Sequence, residues 1–407
     1  MPLAAARKPS PICDPASALE SEVRAFCGFG AKTRFEERDG LPYYINEFWT
    51  AGQRRAHSIH EVSYRACFKP QLPRFFIDRL SAPGEAVHDP FMGRGTTPIE
   101  AALAGRRPVG NDVNPLSLLL TRPRLNPPTL PEVAARLDEV PWEKGEIERE
   151  DLLVFYHPET LRQLSALRCF LLKRAPLEAE PDATDDWIRM VALNRLTGHS
   201  PGFFSVYTLP PNQAVSIEAQ RKINEKRAQT PPPRDVARLI LKKSRALLAE
   251  DGPPRVEGLL GAGDAATTHF IPSGSIRLVV TSPPFLDVVQ YESDNWLRSW
   301  FAGVDSAQVK ISAHRSEADW SAMVAAVLGE LARVLTPGGH VAFEVGEVKN
   351  GRLLLERLVW RAAEGLPFER LFVLVNEQRF TKTSHCWGVA NNGKGTNSNR
   401  IVLLRRR

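Results

Sequence analysis

A doubly wound α/β sheet, interrupted by a largely helical insertion, is the architecture expected for this 407-residue chain. Three observations carry that expectation. Short apolar runs alternate with helical stretches in residues 61–115 and again in 256–407. A glycine-bearing loop, DPFMGRGTT (89–97), joins one of these runs to a helix. Between 116 and 255 the alternation stops, and proline clusters at 127–131 and 230–234 separate long helical segments. Residues 1–60 form an N-terminal extension, loose over its first 20 residues and aromatic thereafter.

The elements follow in order. Residues 70–82 place Leu72, Phe75, Phe76 and Leu80 at helical spacing. Ala86-Val87-His88 is a short strand. Thr97 as N-cap, Pro98 at the first helical position and Glu100 at the third predict a helix over 98–107, ended by Gly105. A second strand ends near Asp112. Further strands are expected at 256–263, 276–280, 339–345 (after a Pro337-Gly338-Gly339 turn), 371–375 and 400–404, with a helix over 317–335.

Composition excludes several classes. Hydrophobic residues at 43% and charged residues at 25% are ordinary for a globular chain. No apolar run reaches the ~18–20 residues of a membrane span, and the N-terminus lacks the apolar core of a signal peptide, so a cytoplasmic protein is expected. Cysteines at 13, 27, 67, 169 and 386 form no C-x-x-C pair, which argues against a disulfide framework and a zinc site; no metal is expected. The net charge of +6 is concentrated in residues 221–245, where nine Lys and Arg residues face two acids.

In doubly wound sheets ligands sit at the carboxyl ends of the strands, where strand order reverses. The loop there carries Asp89, Gly93 and Gly95. Asp112 follows Asp89 by 23 residues, the place of an acidic residue that takes ribose hydroxyls. A dinucleotide loop would need a third glycine at 98, which is Pro98, and Asp89 would face a pyrophosphate. A ligand with a cationic amino group and an adenosine but no phosphate fits better. S-adenosylmethionine is such a ligand: Asp89 meets its amino-acid end, Asp112 its ribose, and Asp264 its adenine amine.

DPFMGRGTT, VGNDVNP (109–115), GDA (263–265) and TSPPF (281–285) together resemble the DNA amino-methyltransferases, which methylate N4 of cytosine or N6 of adenine. The resemblance covers residues 60–115 and about 256–407. It implies a class I methyltransferase (Rossmann-like) fold, S-adenosylmethionine as cofactor and DNA as partner. It assigns cofactor binding to Asp89, Pro90, Phe91, Gly93, Gly95, Thr96, Thr97 and Asp112, with Asn114 and Thr281 beside them. RACFKPQLPRFF (65–76) is similar to the segment closing over the methionine end, with Phe68 and Lys69 as contacts. The catalytic motif carries over to Ser282, Pro283, Pro284 and Phe285. Many members have Tyr where Phe285 stands. The 116–255 stretch is outside the family's minimal core, and the specificity region is expected there.

The chemistry of Ser-Pro-Pro-Phe can be argued from the residues. An exocyclic amine is a poor nucleophile because its lone pair is delocalised into the ring. Acceptors on both amine hydrogens, the Ser282 hydroxyl and the Pro283 carbonyl, localise that pair. Paired prolines fix the backbone, and Phe285 offers a stacking face. A base in a duplex must flip out to reach such a site. A C5-cytosine mechanism needs a cysteine after proline, and none of the five follows one. In the resembling family Ser before Pro-Pro is typical of cytosine-N4 enzymes, which favours cytosine. The rival readings are adenine-N6 chemistry, an amine in RNA or protein, and a catalytically silent DNA-binding subunit. For phosphate and base contact the insertion offers Arg195, Asn212, Arg238, Lys242 and Lys243.

Overall fold

The structure is a computed structural model. It describes residues 15–50, 56–64, 67–176, 180, 182–208, 214–254, 256–284, 291–305, 309, 316–346, 353–377 and 398–407. Phe285 and Asn212 lie outside the described residues.

The chain enters through helix α1 (Pro15–Ala25) and a hairpin of β1 (Arg34–Arg38) and β2 (Leu41–Asn46). Asp39 and Gly40 turn that hairpin with φ of 52° and 76°, the left-handed pair a two-residue turn requires. Helix α2 (Gln71–Leu80), strand β3 (Ala86–Asp89), helix α3 (Thr96–Leu103) and strand β4 (Arg107–Asp112) follow. The insertion contributes α4 (Leu116–Leu125), α5 (Leu130–Asp138), α6 (Pro158–Arg174), α7 (Ala183–Leu193), α8 (Ile217–Arg227) and α9 (Val236–Leu247). The sheet resumes with β5 (Leu259–Ala262) and β6 (Ile276–Thr281). Then come α10 (Tyr291–Ala302), α11 (Glu317–Val334), β7 (Leu335–Val345), α12 (Leu355–Ala362), β8 (Phe368–Glu377) and β9 (Ser398–Arg406).

The nine strands among the described residues form one sheet in the order β1-β2-β8-β9-β7-β6-β3-β4-β5. Counted from β3 as the first core strand, the last seven run 6-7-5-4-1-2-3, with only the seventh, β9, antiparallel to its neighbours. That is the class I methyltransferase (Rossmann-like) topology. The parallel sheet that such alternation implies is broken at β9, which slots antiparallel between β7 and β8, and at the β1–β2 hairpin. Strand β2 pairs parallel with β8, so the N-terminal extension widens the sheet. Asn376 secures the exit, its Oδ1 accepting from Phe48 N at 2.7 Å and Trp49 N at 3.2 Å.

Alternation of side chains builds a core on each face. On β9, Val402 and Leu404 pack under α11 and α12, while Ile401 and Leu403 pack against the α1 and α2 side. Each such buried Val, Leu or Ile contributes roughly 1.5–3 kcal/mol. The insertion has its own core around Trp187, whose indole donates to Ser244 Oγ at 3.0 Å. Two buried acids on α7 gather the neighbouring helices. Asp185 pairs with Arg136 of α5 and with Arg174 of α6, and Asp186 pairs with Arg122 of α4 at 2.7 Å. Leu297 and Phe301 of α10 join this core, so the helix after the Ser-Pro-Pro motif is packed on the insertion.

Two local expectations differ. Helix α3 begins at Thr96 with Gly95 as its cap, because the Thr97 hydroxyl is drawn instead to Val280 O at 3.0 Å. Strand β7 begins at Leu335 rather than Gly339 and takes in the Pro337-Gly338-Gly339 stretch expected as a turn. No helix of the described residues is long and apolar enough to cross a membrane.

Candidate active site

Strands β3 and β6 are adjacent, and strand order reverses between them. Their carboxyl ends carry Asp89 and Thr281. The Thr281 hydroxyl donates to Asp89 Oδ1 at 2.6 Å, and Phe91 N donates to the same oxygen at 3.1 Å. Asp89 is 1% exposed, and burial pushes its carboxyl up to about 7 against those hydrogen bonds.

The loop after Asp89 is shaped by glycine. Gly93 and Gly95 have φ of 50° and 76°. A Cβ on Gly95 would lie 2.3 Å from Thr121 Oγ1, so α4 of the insertion packs directly on the loop. Gly93 N donates to Asp112 Oδ2 at 2.8 Å, and Asn114 N donates to Oδ1 at 2.9 Å. Burial raises the Asp112 carboxyl despite both bonds. Asn111 Nδ2 reaches Pro90 O at 3.4 Å, and Phe91 packs on the sheet core. Thr96 Oγ1 accepts from Arg94 Nε at 3.2 Å. Asn114 Oδ1 accepts from Leu116 N at 3.0 Å and so starts α4. Asp264 is exposed in the turn after β5, accepting from Ala266 N at 2.9 Å.

Asp89, Asp112 and Asp264 therefore stand at the ends of three adjacent strands. Among the described residues no Lys or Arg pairs with Asp89 or Asp112. A buried carboxylate and a half-buried one with no cation among the described residues, at a glycine cradle, suit a ligand that brings positive charge and hydroxyls.

A strap of residues 59–64 and 67–68 borders this loop. Its carbonyls are held by three arginines from three elements. Arg94 donates to Val62 O at 2.9 Å and Phe68 O at 3.4 Å, Arg124 of α4 to Ile59 O at 3.3 Å, and Arg298 of α10 to Ser63 O at 3.0 Å. Phe68 is packed against the core, and Lys69, next along, is held below its usual ammonium range by burial and by Arg94.

Ser282 follows Thr281 directly, and its hydroxyl hydrogen-bonds the Glu344 carboxylate at the end of β7. Glu344 is 4% exposed and also accepts from Asn399 Nδ2 at 3.0 Å. Trp320 Nε1 donates to Pro284 O at 2.9 Å, fixing the motif to α11. The Pro283 carbonyl has no partner among the described residues. Glu344, Asn399 and Trp320 were not singled out from the sequence. The one signal was a charged residue near the end of an otherwise apolar strand, HVAFEV.

The basic candidates separate. Arg238 and Lys242 are exposed on α9. Lys243 instead pairs with Glu61 of the strap at 2.8 Å. Arg195 is half-buried, donating to Asn194 O at 2.9 Å with its guanidinium 4.1 Å from the Phe203 ring. Among the described residues no group of His, Cys, Asp and Glu could hold a metal ion.

Residues 30–118 match the N6_N4_Mtase family model, described as DNA methylase. The motif resemblance holds over this segment, which includes the Asp89 loop and Asp112 and ends before Ser-Pro-Pro. Over 72 residues the chain is 35% identical to the Type II methyltransferase M.MjaII of Methanocaldococcus jannaschii, covering 18% of this chain and 13% of the relative. Over 87 residues it is 31% identical to the Type II methyltransferase M.MvaI of Kocuria varians, covering 21% of this chain and 19% of the relative. The matched segments thus span between an eighth and a fifth of those relatives. Among solved structures, TrmN of Thermus thermophilus overlays 86% of this chain and 52% of its own at a TM-score of 0.33 and 13% identity.

Proposed function

We propose that this chain is an S-adenosylmethionine-dependent DNA methyltransferase that modifies an exocyclic amine of a flipped-out base, with N4 of cytosine as the target. One observation carries the reading. The Asp89 loop, which falls in the segment similar to DNA methylases, is joined through Thr281 to Ser282-Pro283-Pro284, so ligand loop and catalytic motif are one unit.

Asp89 and Asp112 hold the cofactor, with Gly93 and Gly95 giving it access to the backbone and Phe68 and Lys69 at its methionine end; Asp264 is placed for the adenine amine. When bound, S-adenosylmethionine supplies an electrophilic methyl group. The chain's own work is to present the amine. Ser282 Oγ and the Pro283 carbonyl accept its two N–H groups and localise its lone pair. Trp320 occupies the Pro284 carbonyl, which leaves Pro283 as the acceptor. Rigid placement of such groups is where this chemistry gains rate. The choice of cytosine rests on Ser282 preceding Pro-Pro.

The test is methyl transfer from labelled cofactor to duplex DNA, with RNA and protein as competing substrates, followed by digestion and mass spectrometry. N4-methylcytosine is expected. N6-methyladenine alone would overturn the choice of base, and label in RNA or protein but not DNA would overturn the choice of substrate.

A further inference from the structure

The segment between α7 and α8 seats two arginines that the amine chemistry above does not use. Arg195 lies on the Phe203 ring, 4.1 Å from its centroid, and the His199 ring is 6.2 Å from the same centroid. Arg227, in the last turn of α8, lies on the Tyr207 ring at 3.8 Å and is exposed. Both rings belong to one loop, and its backbone is braced along its length. Phe204 N donates to Arg195 O at 2.9 Å, Thr208 N to Gly198 O at 3.1 Å and Val206 N to Phe155 O at 2.9 Å. Tyr207 O accepts from Gln220 Nε2 at 3.1 Å and from Gln229 Nε2 at 2.9 Å. Each guanidinium therefore rests on a ring whose own position is fixed.

Among the described residues neither arginine has a carboxylate partner. Glu61, the acid that acts on Arg195 electrostatically, is itself paired with Lys243 at 2.8 Å. Arg195 Nε donates to Asn194 O at 2.9 Å, and its two terminal amino groups meet no acceptor among the described residues. The loop also stands beside the site. Asn194 Oδ1 accepts from Ser63 N at 2.7 Å, and Arg298 of α10 donates to Ser63 O. Tyr64, next along the strap, would lie 3.6 Å from a Cβ on Gly93. Further on, Ala214 N donates to Asp294 O of α10 at 3.4 Å. The two arginines thus sit between the strap on the cofactor loop and the helix that follows Ser-Pro-Pro.

We propose that Arg195 and Arg227 read two guanines beside the target base, each presenting its terminal amino groups to the O6 and N7 acceptors of a guanine edge; this rests on the DNA-methylation reading above. The planar fork of arginine matches that pair of acceptors. Phosphate contact tolerates loose geometry, and the exposed cations of α9 are suited to it. Seating a guanidinium on a ring adds little to a phosphate contact. It matters for a base edge, where a side chain must already hold its orientation. With no acid of their own, both groups reach a base without breaking an ion pair.

The full chain is used to select duplexes from a randomised pool, and the selected sequences are read. They should share guanines at two fixed positions, counted apart from the target base pair. Replacing either guanine by 7-deazaguanine removes N7 and keeps base pairing. It should weaken binding, read by fluorescence anisotropy, about 10-fold, within the range of a bidentate base contact. Arg227→Ala should accept any base pair at one position and Arg195→Ala at the other. Each should cost about 10- to 100-fold on the selected duplex at unchanged cofactor Kd. Each variant should also be blind to 7-deazaguanine at its own position and as sensitive as wild type at the other. Arg227 is exposed, so its variant serves where Arg195→Ala does not fold. Selected sequences without a fixed guanine would overturn the readout. So would variants that weaken all duplexes alike and flatten the log–log salt slope by about 0.9 each, as lost phosphate contacts do. A guanine-bearing duplex that is selected but receives no methyl group would sink the function reading and leave the readout standing. Methyl transfer at sites with no fixed guanine would do the reverse.

Discussion

The Thr281 hydroxyl and the Asp89 carboxylate, 2.6 Å apart, join the last residue before Ser-Pro-Pro to the first residue of the glycine loop. The bond spans the two strands between which the sheet reverses its order. It also lowers the cost of keeping Asp89 ionised, because hydrogen bonds from Thr281 and Phe91 oppose the burial that drives its carboxyl up. Thr281→Val should therefore leave Asp89 harder to ionise and weaken cofactor binding about 10- to 100-fold, the range of a hydrogen bond to a charged group. Thr281→Ser should retain most of the affinity. Isothermal titration with S-adenosylmethionine reads both.

The Asp89 carboxyl gives the fold a pH signature whose sign can be worked out. In the unfolded chain it titrates at its ordinary 3.8 and in the folded chain at about 7. Between those values the folded state holds a proton that the unfolded state has lost, so this group makes stability fall as pH rises through that window. Buried His88 acts oppositely: its imidazole is lowered from 6.5 to about 4, which makes stability rise with pH over an overlapping window. The difference between wild type and Asp89→Asn isolates the first effect. The variant should gain stability relative to wild type as pH climbs from about 4 to about 7, and the gap should then level off. Thermal melting of both proteins across pH measures it. A gap that stays constant with pH would refute the raised carboxyl. Affinity for a cationic cofactor should rise over the same window, more steeply in wild type than in Asp89→Asn, where only the raised Asp112 carboxyl is left to titrate.

How much of this was legible in the sequence depends on the range of the contact. Asp89, Gly93, Gly95 and Asp112 announce themselves because local backbone demands and spacing are written in neighbouring letters, and the structure brings them together. The Thr97 cap was misread because a tertiary partner, Val280 O, outcompetes the local one. Strand β9 was read as a strand, but its antiparallel direction depends on where the chain returns, which residues 398–406 do not encode. Glu344 meets Ser282 across 62 residues of sequence and Asn399 across 55, so neither pairing has a local signal. Lys243 looked like one more cation in a basic run, and only the fold supplies its partner Glu61.

Gly95 separates strain from crowding. Its φ of 76° costs a residue with a side chain about 1–2 kcal/mol. A Cβ there would also strike Thr121, whose Oγ1, Cγ2 and Cβ all lie within 2.8 Å of it. Gly95→Ala should destabilise the chain by more than the strain alone, with cofactor binding lost in parallel. Adding Thr121→Ala should recover the crowding part and leave the residual strain. Chemical denaturation of the single and double variants measures each share. If Thr121→Ala recovers nothing, the packing of α4 on the loop is not what fixes this glycine.

The insertion's cations divide into those free to meet phosphate and those already employed. Arg238, Lys242 and Arg245 are exposed along α9 at helical spacing, three and four residues apart. Lys243 on the same helix is half-buried and pairs with Glu61, with desolvation holding its ammonium below the usual range. If the exposed stripe lies along DNA, each lost phosphate contact should weaken binding on every sequence alike and flatten the salt dependence by about 0.9 in the log–log slope. Arg238→Ala with Lys242→Ala should flatten it by nearly two, at unchanged cofactor affinity. Lys243→Ala should leave that slope in place and act on the strap instead, raising cofactor Kd by freeing Glu61 beside the clamped carbonyls of Val62 and Ser63. Fluorescence anisotropy with duplex DNA at several salt concentrations, alongside cofactor titration, distinguishes the two. Equal slope changes for Lys242→Ala and Lys243→Ala would remove the distinction between a contact surface and a structural brace.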